Sequence, residues 1–292
     1  MKKKIALILA AVILVLSLGL AACGTGADET SNTDSSNDSE NANAEKMQVD
    51  NEKVAAAAND GVFKIGLDPE FPPMGFRDTD GNYVGFDIDL AKEVAKRLGM
   101  EFEAVPINWD AKNMELGAGN IDCIWNGFTM TGREGDYLWT SPYVSNAQVI
   151  VVKENSGIES AADLAGKVLA LQQGSTAENA LNSRTDIKNS LANELFVADN
   201  VSALNELKVG GVDAVLVDEV VADYYIAQNP GLKVIDSIAE ESYGVGFALG
   251  NFELRDKVET ALNDMAKDGT MKKISEQWFG KDITTIGKTT DQ

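Results

Sequence analysis

Val62-Phe63-Lys64-Ile65-Gly66-Leu67 alternates in the manner of a strand, and Asp87-Ile88-Asp89-Leu90-Ala91-Lys92-Glu93-Val94-Ala95-Lys96-Arg97-Leu98-Gly99 then changes period. In the second stretch Leu90, Ala91, Val94, Ala95 and Leu98 share one helical face, Asp87 is placed to N-cap it, and Gly99 stops it. Working outward, the same alternation predicts strands at 102–105, 121–125 and 147–152, with a helix at 110–116 between the first two. Ser160-Ala161-Ala162-Asp163 has the acidic form of a capping box. Further strands are expected at 167–171, 195–197, 213–217 and 232–235, and helices at 176–183, 201–209 and 219–228. Strand–helix alternation of this kind means open α/β sheets with largely parallel strands. Gly119-Asn120-Ile121-Asp122 and Gly210-Gly211-Val212-Asp213 each close a helix and begin a strand, which points to two similar lobes. Ligands sit beyond the carboxyl ends of such strands, so two facing lobes place a site in the cleft between them.

Composition narrows the function. The chain has 292 residues with 25 Lys+Arg against 46 Asp+Glu, a net charge of −21 and no histidine. So acidic a protein repels phosphate backbones, which argues against nucleic-acid binding. The lack of histidine removes Ser-His-Asp and Cys-His nucleophile arrangements and every histidine-bearing zinc site. Two cysteines, Cys23 and Cys123, make no disulfide framework, and Cys123 reads as a buried thiol within a strand.

The N-terminus has its own texture. Met1-Lys2-Lys3-Lys4, an apolar run over 5–16 and Leu20-Ala21-Ala22-Cys23 compose a secretory signal over 1–22. The apolar part is also just long enough to span a bilayer. Leu-Ala-Ala-Cys resembles a bacterial lipobox, which implies lipidation of Cys23 and anchoring to the outer face of the cell membrane. Residues 23–60 are expected to be an acidic tether. Between 24 and 53 they carry eight acidic side chains against Lys46 and Lys53 and almost no bulky apolar group.

Several polar and aromatic residues fall where strands run out: Asp68, Phe71, Trp109, Gly127, Thr129, Arg133, Gln172, Ser175, Thr176 and Asp218. Arginine's planar fork suits a carboxylate, and a helix start after Gly174-Ser175 offers free N–H groups to the same anion. Asp218 can take an ammonium group, and aromatic faces can hold a side chain between them. Together these describe a free α-amino acid. Singly each residue has a plainer use: a surface arginine, an N-cap at Asp218, core packing for Phe71 and Trp109.

At these residues the chain resembles the family 3 extracellular solute-binding proteins, the amino-acid receptors of bacterial ABC importers. The resemblance runs from Val62 to about Lys281. It is carried by Gly66-Leu67-Asp68-Pro69-Glu70-Phe71-Pro72-Pro73-Met74, Gly85-Phe86-Asp87-Ile88-Asp89-Leu90-Ala91 and Asn126-Gly127-Phe128-Thr129-Met130-Thr131. Thr140-Ser141-Pro142-Tyr143, Gln173-Gly174-Ser175-Thr176, Tyr243-Gly244-Val245-Gly246-Phe247-Ala248 and Gln277-Trp278-Phe279-Gly280 add to it.

The resemblance implies an α/β fold of the type II periplasmic-binding-protein kind, two α/β lobes on a two-strand hinge. Lobe 1 would comprise 61–145 and 243–285, lobe 2 would comprise 146–242, and a tail 286–292. The hinge crossings would lie near 144–148 and 239–243. Arg133, Thr129 and the Gly127 backbone would hold the ligand carboxylate from lobe 1, Ser175 and Thr176 from lobe 2. Asp218 would accept the ammonium group, helped by Gly127 and Thr129. Asp68 and Gln172 would read the side chain, and Phe71 and Trp109 would stack on it. Thr129-Met130-Thr131-Gly132-Arg133 is one residue shorter than the family's usual spacing, and Glu70 and Asn126 are polar additions without an assigned role. The expected protein is a monomeric receptor, free of cofactor and metal. It would close on a polar amino acid, basic or amide, with a small polar residue or cystine as the alternative ligand, and deliver it to ABC permease subunits. A secreted enzyme of the cyclohexadienyl dehydratase type on the same fold, with Glu70 or Asp68 as general acid, and an amino-acid sensor module are the alternatives.

Overall fold

The computed structural model of the protein describes residues 47–288. The signal segment, Cys23, the tether as far as residue 46 and the last four residues of the tail lie outside the described residues. In chain order the elements are α1 (Asn51–Ala57), β1 (Val62–Leu67), β2 (Glu70–Phe71), β3 (Gly75–Arg77), β4 (Tyr83–Val84), α2 (Phe86–Leu98), β5 (Glu101–Pro106), α3 (Lys112–Gly117), β6 (Cys123–Ile124), β7 (Leu138–Trp139) and β8 (Val144–Lys153). They continue with β9 (Val168–Gln172), α4 (Thr176–Ser183), α5 (Thr185–Lys188), β10 (Asn193–Val197), α6 (Asn200–Val209), β11 (Ala214–Asp218), α7 (Glu219–Gln228), β12 (Leu232–Tyr243), β13 (Gly246–Phe247), α8 (Phe252–Lys267) and α9 (Thr270–Phe279).

Two five-stranded sheets define two lobes, in the orders β5-β1-β6-β13-β7 and β10-β9-β11-β8-β12. Their plans match. In the first, β1 pairs in parallel with β5 and β6, and β13 is antiparallel to β6 and β7. In the second, β9 pairs in parallel with β10 and β11, and β8 is antiparallel to β11 and β12. Each sheet is therefore parallel over three strands only. The antiparallel pair beside β11 comes from the two segments that cross between lobes, so their direction is set by the crossing.

The repeated Gly-x-x-Asp feature does the same work in both halves. Gly119 and Gly210 adopt left-handed backbone after α3 and α6. Asp122 then accepts the Lys64 N–H of β1 at 2.7 Å, and Asp213 accepts the Val168 N–H of β9 at 2.9 Å. Each carboxylate thus ties the entry of one strand to the start of its parallel neighbour.

Phe63, Ile65 and Leu67 of β1 are fully buried with Leu90, Ala91 and Val94 of α2 and with Val258, Leu262 and Met265 of α8. Each of these side chains larger than alanine contributes about 1.5–3 kcal/mol when taken from water. The last two helices return to α2 also by polar contacts: Trp278 donates to Asp89 at 2.9 Å, and Arg97 pairs with Asp268 at 2.8 Å. In the second lobe Ile150, Val152, Leu169, Leu171 and Leu216 pack with Ala177 and Leu181 of α4.

β8 and β12 run antiparallel from Leu232 opposite Lys153 to Tyr243 opposite Val144, the segment in which the crossings were expected. Both strands outrun their sequence prediction. The ladder slips between Val234 and Asp236 and again between Ser237 and Ala239, which blurs the period-two pattern.

Two expectations are corrected. Asp87 does not N-cap α2: Gly85 holds that position, and Asp87 lies fully buried inside the first turn. The helix begins at Phe86 because that ring belongs to the core, which turns Asp87 inward. The tether was expected to reach residue 60, yet its last stretch is folded. Asp50 accepts the Lys53 N–H and caps α1, and the Asp50 N–H donates to the Gly117 carbonyl at 2.8 Å. Val54 is buried beside Leu116, Ile121 and Ile124, with Met47 and Val49 packed alongside. A few apolar residues spaced within a polar stretch suffice when a ready-made apolar surface receives them. Val54→Ala should therefore lower stability by about 1–2 kcal/mol in urea denaturation, whereas a free tether would give no change.

Candidate functional site

Every predicted ligand residue lines one nearly closed cleft between the lobes, with about 20 Å³ of free space: Asp68, Phe71, Trp109, Gly127, Thr129, Arg133, Gln172, Ser175, Thr176 and Asp218. Asn126, left unassigned by the sequence, joins them. The residues come from strand ends and the loops that follow, as the chain rule for α/β sheets requires.

Gly127 carries a positive φ of +53°, and a Cβ there would lie 2.7 Å from the Phe71 ring and 3.1 Å from that of Tyr243. Glycine is needed both for the backbone and for the space. Its N–H donates to Asp87 at 2.6 Å, so the misread helix residue is the anchor of the cleft's central loop. The Asn126 side chain accepts the Asp68 N–H at 2.7 Å, which fixes the neighbouring strand end. The short Thr129–Arg133 spacing is accommodated at Gly132, whose φ of +78° turns the loop. Arg133 still reaches the cleft, its guanidinium carbon 5.2 Å from the centre of the Phe128 ring.

The lobes meet across the cleft. Gln172 donates to Asp68 at 2.7 Å, and the hydroxyls of Thr129 and Thr176 are 3.3 Å apart. The Gly174 carbonyl accepts from Arg133 at 3.4 Å and from Lys112 at 3.3 Å. Lys112 was missed in the sequence. It is buried, donates also to the Trp109 carbonyl at 3.1 Å, and stands 5.1 Å from the Trp109 ring centre. Ser175 turns its hydroxyl to the Gln172 carbonyl at 2.8 Å, leaving the start of α4 uncapped by its side chain.

Asp218 precedes α7 but its side chain does not cap that helix. Its Oδ1 instead accepts from Asn146 at 2.9 Å, Gln148 at 3.0 Å and Tyr243 at 2.6 Å. These donors stand on β8 and β12 at alternate positions, a pattern present in the sequence as Asn146/Gln148 and Glu241/Tyr243 but hidden within segments read only as hinge.

Burial governs the charges. It lifts the Asp68 carboxyl to about 6, against the opposing pull of the Glu70 N–H and Gln172, with Asp199 and Glu70 adding negative charge. Burial, reinforced by the charge of Arg133, brings Lys112 down to about 8. It raises Asp218 well above the carboxylate range, with Glu241 adding to the rise.

A cleft of this build between two matched α/β lobes belongs to the binding proteins of the type II periplasmic class. The chain is a member of the bacterial extracellular solute-binding proteins, family 3, whose family model matches residues 63–281. Among curated relatives, the L-cystine-binding protein TcyJ of Escherichia coli strain K12 is 34% identical over 229 residues, 77% of this chain and 85% of that protein. Among solved structures, a histidine-bound ABC uptake transporter substrate-binding protein from Streptococcus pneumoniae superposes with a TM-score of 0.77 at 35% identity, covering 80% of this chain and 99% of that one. An ancestral arginine-binding protein bound to arginine gives 0.71 at 41% identity, covering 75% and 99%.

The anchor of the central loop has a pH signature. Burial raises the Asp87 carboxyl to about 7 from an ordinary 3.8, against the pull of the Gly127 N–H. The folded state thus prefers the protonated acid, so this contribution to stability is full below the unfolded value and declines as pH rises through about 7. Urea midpoints measured from pH 4 to 8 should fall more steeply for the wild type than for Asp87→Asn, and parallel curves would show that Asp87 is not the titrating group.

Proposed function

We propose that this protein captures a free α-amino acid with a polar side chain, basic or amide, by closing its two lobes, and presents it without turnover to an ABC import permease. The observation that carries this reading is the convergence, from both lobes on one buried cleft, of an arginine, an uncapped helix start, a carboxylate and two aromatic faces. Arg133 and the start of α4 hold the ligand carboxylate, and Asp218 its ammonium group. Asp68 and Gln172 face the side chain, with Phe71 and Trp109 against its apolar part. The negative charge of Glu70 and Asp199 near Asp68 favours a cation at that end. Family membership and the amino-acid-binding relatives support the substrate class.

Closure follows from where the contacts stand. Residues of the first lobe meet the ligand first, while Ser175, Thr176 and Asp218 reach it only when the lobes approach. A ligand shifts such an equilibrium by its differential affinity for the two forms, so the second-lobe contacts drive closure. We place the protein outside the cell membrane, held by lipid on Cys23. More than one acyl chain there would give a stable anchor.

A thermal-shift screen over the common amino acids with ornithine, citrulline and cystine should raise the melting temperature with a basic or amide ligand first, because ligand stabilises the folded state by mass action. Titration calorimetry of Asp218→Ala should show binding weakened a hundredfold or more, since a buried ammonium group left without its counter-charge costs about 3–5 kcal/mol. Unchanged affinity would remove Asp218 from the site. Tryptophan fluorescence should change on binding in the wild type and lose most of that change in Trp109→Leu.

A further inference from the structure

Glu241 on β12 has no place in the site described so far, yet it is the second carboxylate of a buried pair. Its Oε1 accepts from Asn146 at 2.7 Å and from Gln148 at 3.0 Å. These are the same two amide nitrogens that donate to Asp218 Oδ1. The pairing explains the meeting: Asp218 stands opposite Gln148 across β11 and β8, and Glu241 opposite Asn146 across β8 and β12. Strand alternation puts all of them, with Tyr243, on one face of three adjacent strands.

Asp218 is 5% exposed and Glu241 7%. The donors that reach them, two amides and a phenol, are neutral. Two carboxylates so close and so buried do not both ionise without a positive charge beside them. Asp218 opens into the amino-acid cleft. Glu241 opens into a separate outer pocket, lined with Asn146, Glu219, Glu240 and Ser242. The pair therefore reaches from the ligand cleft to that second pocket.

We propose that Asp218 and Glu241 together are a cation-exchange site, holding one proton between them in the ligand-free protein and releasing it through Glu241 when the ligand's ammonium group arrives. The reading rests on the amino-acid-binding function proposed above. The balance is simple. Two carboxyl groups and one proton carry one negative charge, and two carboxylates with one ammonium group carry the same. The proton leaves Asp218 for Glu241 and passes to water in the outer pocket, so no net charge is added to a buried place. Both carboxyls already accept from the amide donors, and the charge of Glu241 adds to burial in raising Asp218. The other charged or titratable groups facing the pair are Arg133 from the first lobe, Tyr243 on β12, and Glu219 and Glu240 around the outer pocket. Arg133 favours ionisation of the pair, and the two glutamates oppose it.

Calorimetric titration of the full mature chain with L-arginine at pH 7, in phosphate and in Tris, reads the protons released from the dependence of heat on buffer. The wild type should release about one proton per ligand more than Glu241→Gln, which keeps the amide-bonding geometry with a single carboxylate. Between pH 6 and 8 the wild-type Kd should fall about tenfold per pH unit, and that of Glu241→Gln should stay nearly flat. Equal proton release in the two proteins overturns the proposal. The infrared spectrum of the ligand-free proteins decides independently of binding. The wild-type minus Glu241→Gln difference at pH 7 should contain the C=O stretch of a protonated carboxyl, and its absence overturns the proposal as well. Failure of every amino acid to bind, with that band present, would overturn the receptor function and leave the proton-sharing pair standing.

Discussion

The ladder between β8 and β12 is the constraint on which the molecule turns. Both segments have to pass between lobes, and by pairing with each other they satisfy their backbone groups over the whole crossing. The same ladder supplies the donors that hold Asp218. The proposed link between lobe movement and ammonium capture thus requires no separate device, because the strands that carry the crossing also carry Asn146, Gln148, Glu241 and Tyr243.

The electrostatics of the cleft follow from burial rather than from net charge. The chain is strongly acidic, yet two cations, the buried Lys112 and the half-buried Arg133, meet at one point, the Gly174 carbonyl. At other walls of the same cleft Asp68 and Asp218 are raised by desolvation. Separated buried charges of opposite sign are costly in isolation and become favourable when a zwitterion brings both counter-charges at once. Under the proposed function this would select a ligand whose carboxylate and ammonium group are held at fixed distance, with the Asp68 end discriminating by side chain. Lys112 also braces Trp109, so the proposed stacking residue and the contact that joins the lobes share one lysine.

Much of the cleft was legible because its residues sit at strand ends, where periodicity locates them, and because their chemistry is complementary to one ligand. The helices over 176–183 and 219–228 match their predicted bounds. What was missed has a common cause. Asp87 looked like a cap because local pattern cannot tell that Phe86 must enter the core. Residues 47–60 looked like tether because composition averages over Val54 and its neighbours, whose value depends on the surface that receives them. Asn146 and Glu241 are polar residues in strands, and nothing along the chain says that they meet.

From the amino-acid order alone came the alternation of strands and helices, the doubling of the lobe, and the set of groups able to grip a zwitterion, all of which depend on contacts within a turn or on chemistry that does not vary with context. The tertiary structure decided which carboxylate faces which, how a short loop at Gly132 still delivers Arg133, and that Gly127 must bear no side chain. Those outcomes depend on desolvation and on distances between segments far apart in the chain, and neither quantity exists until the strands have paired.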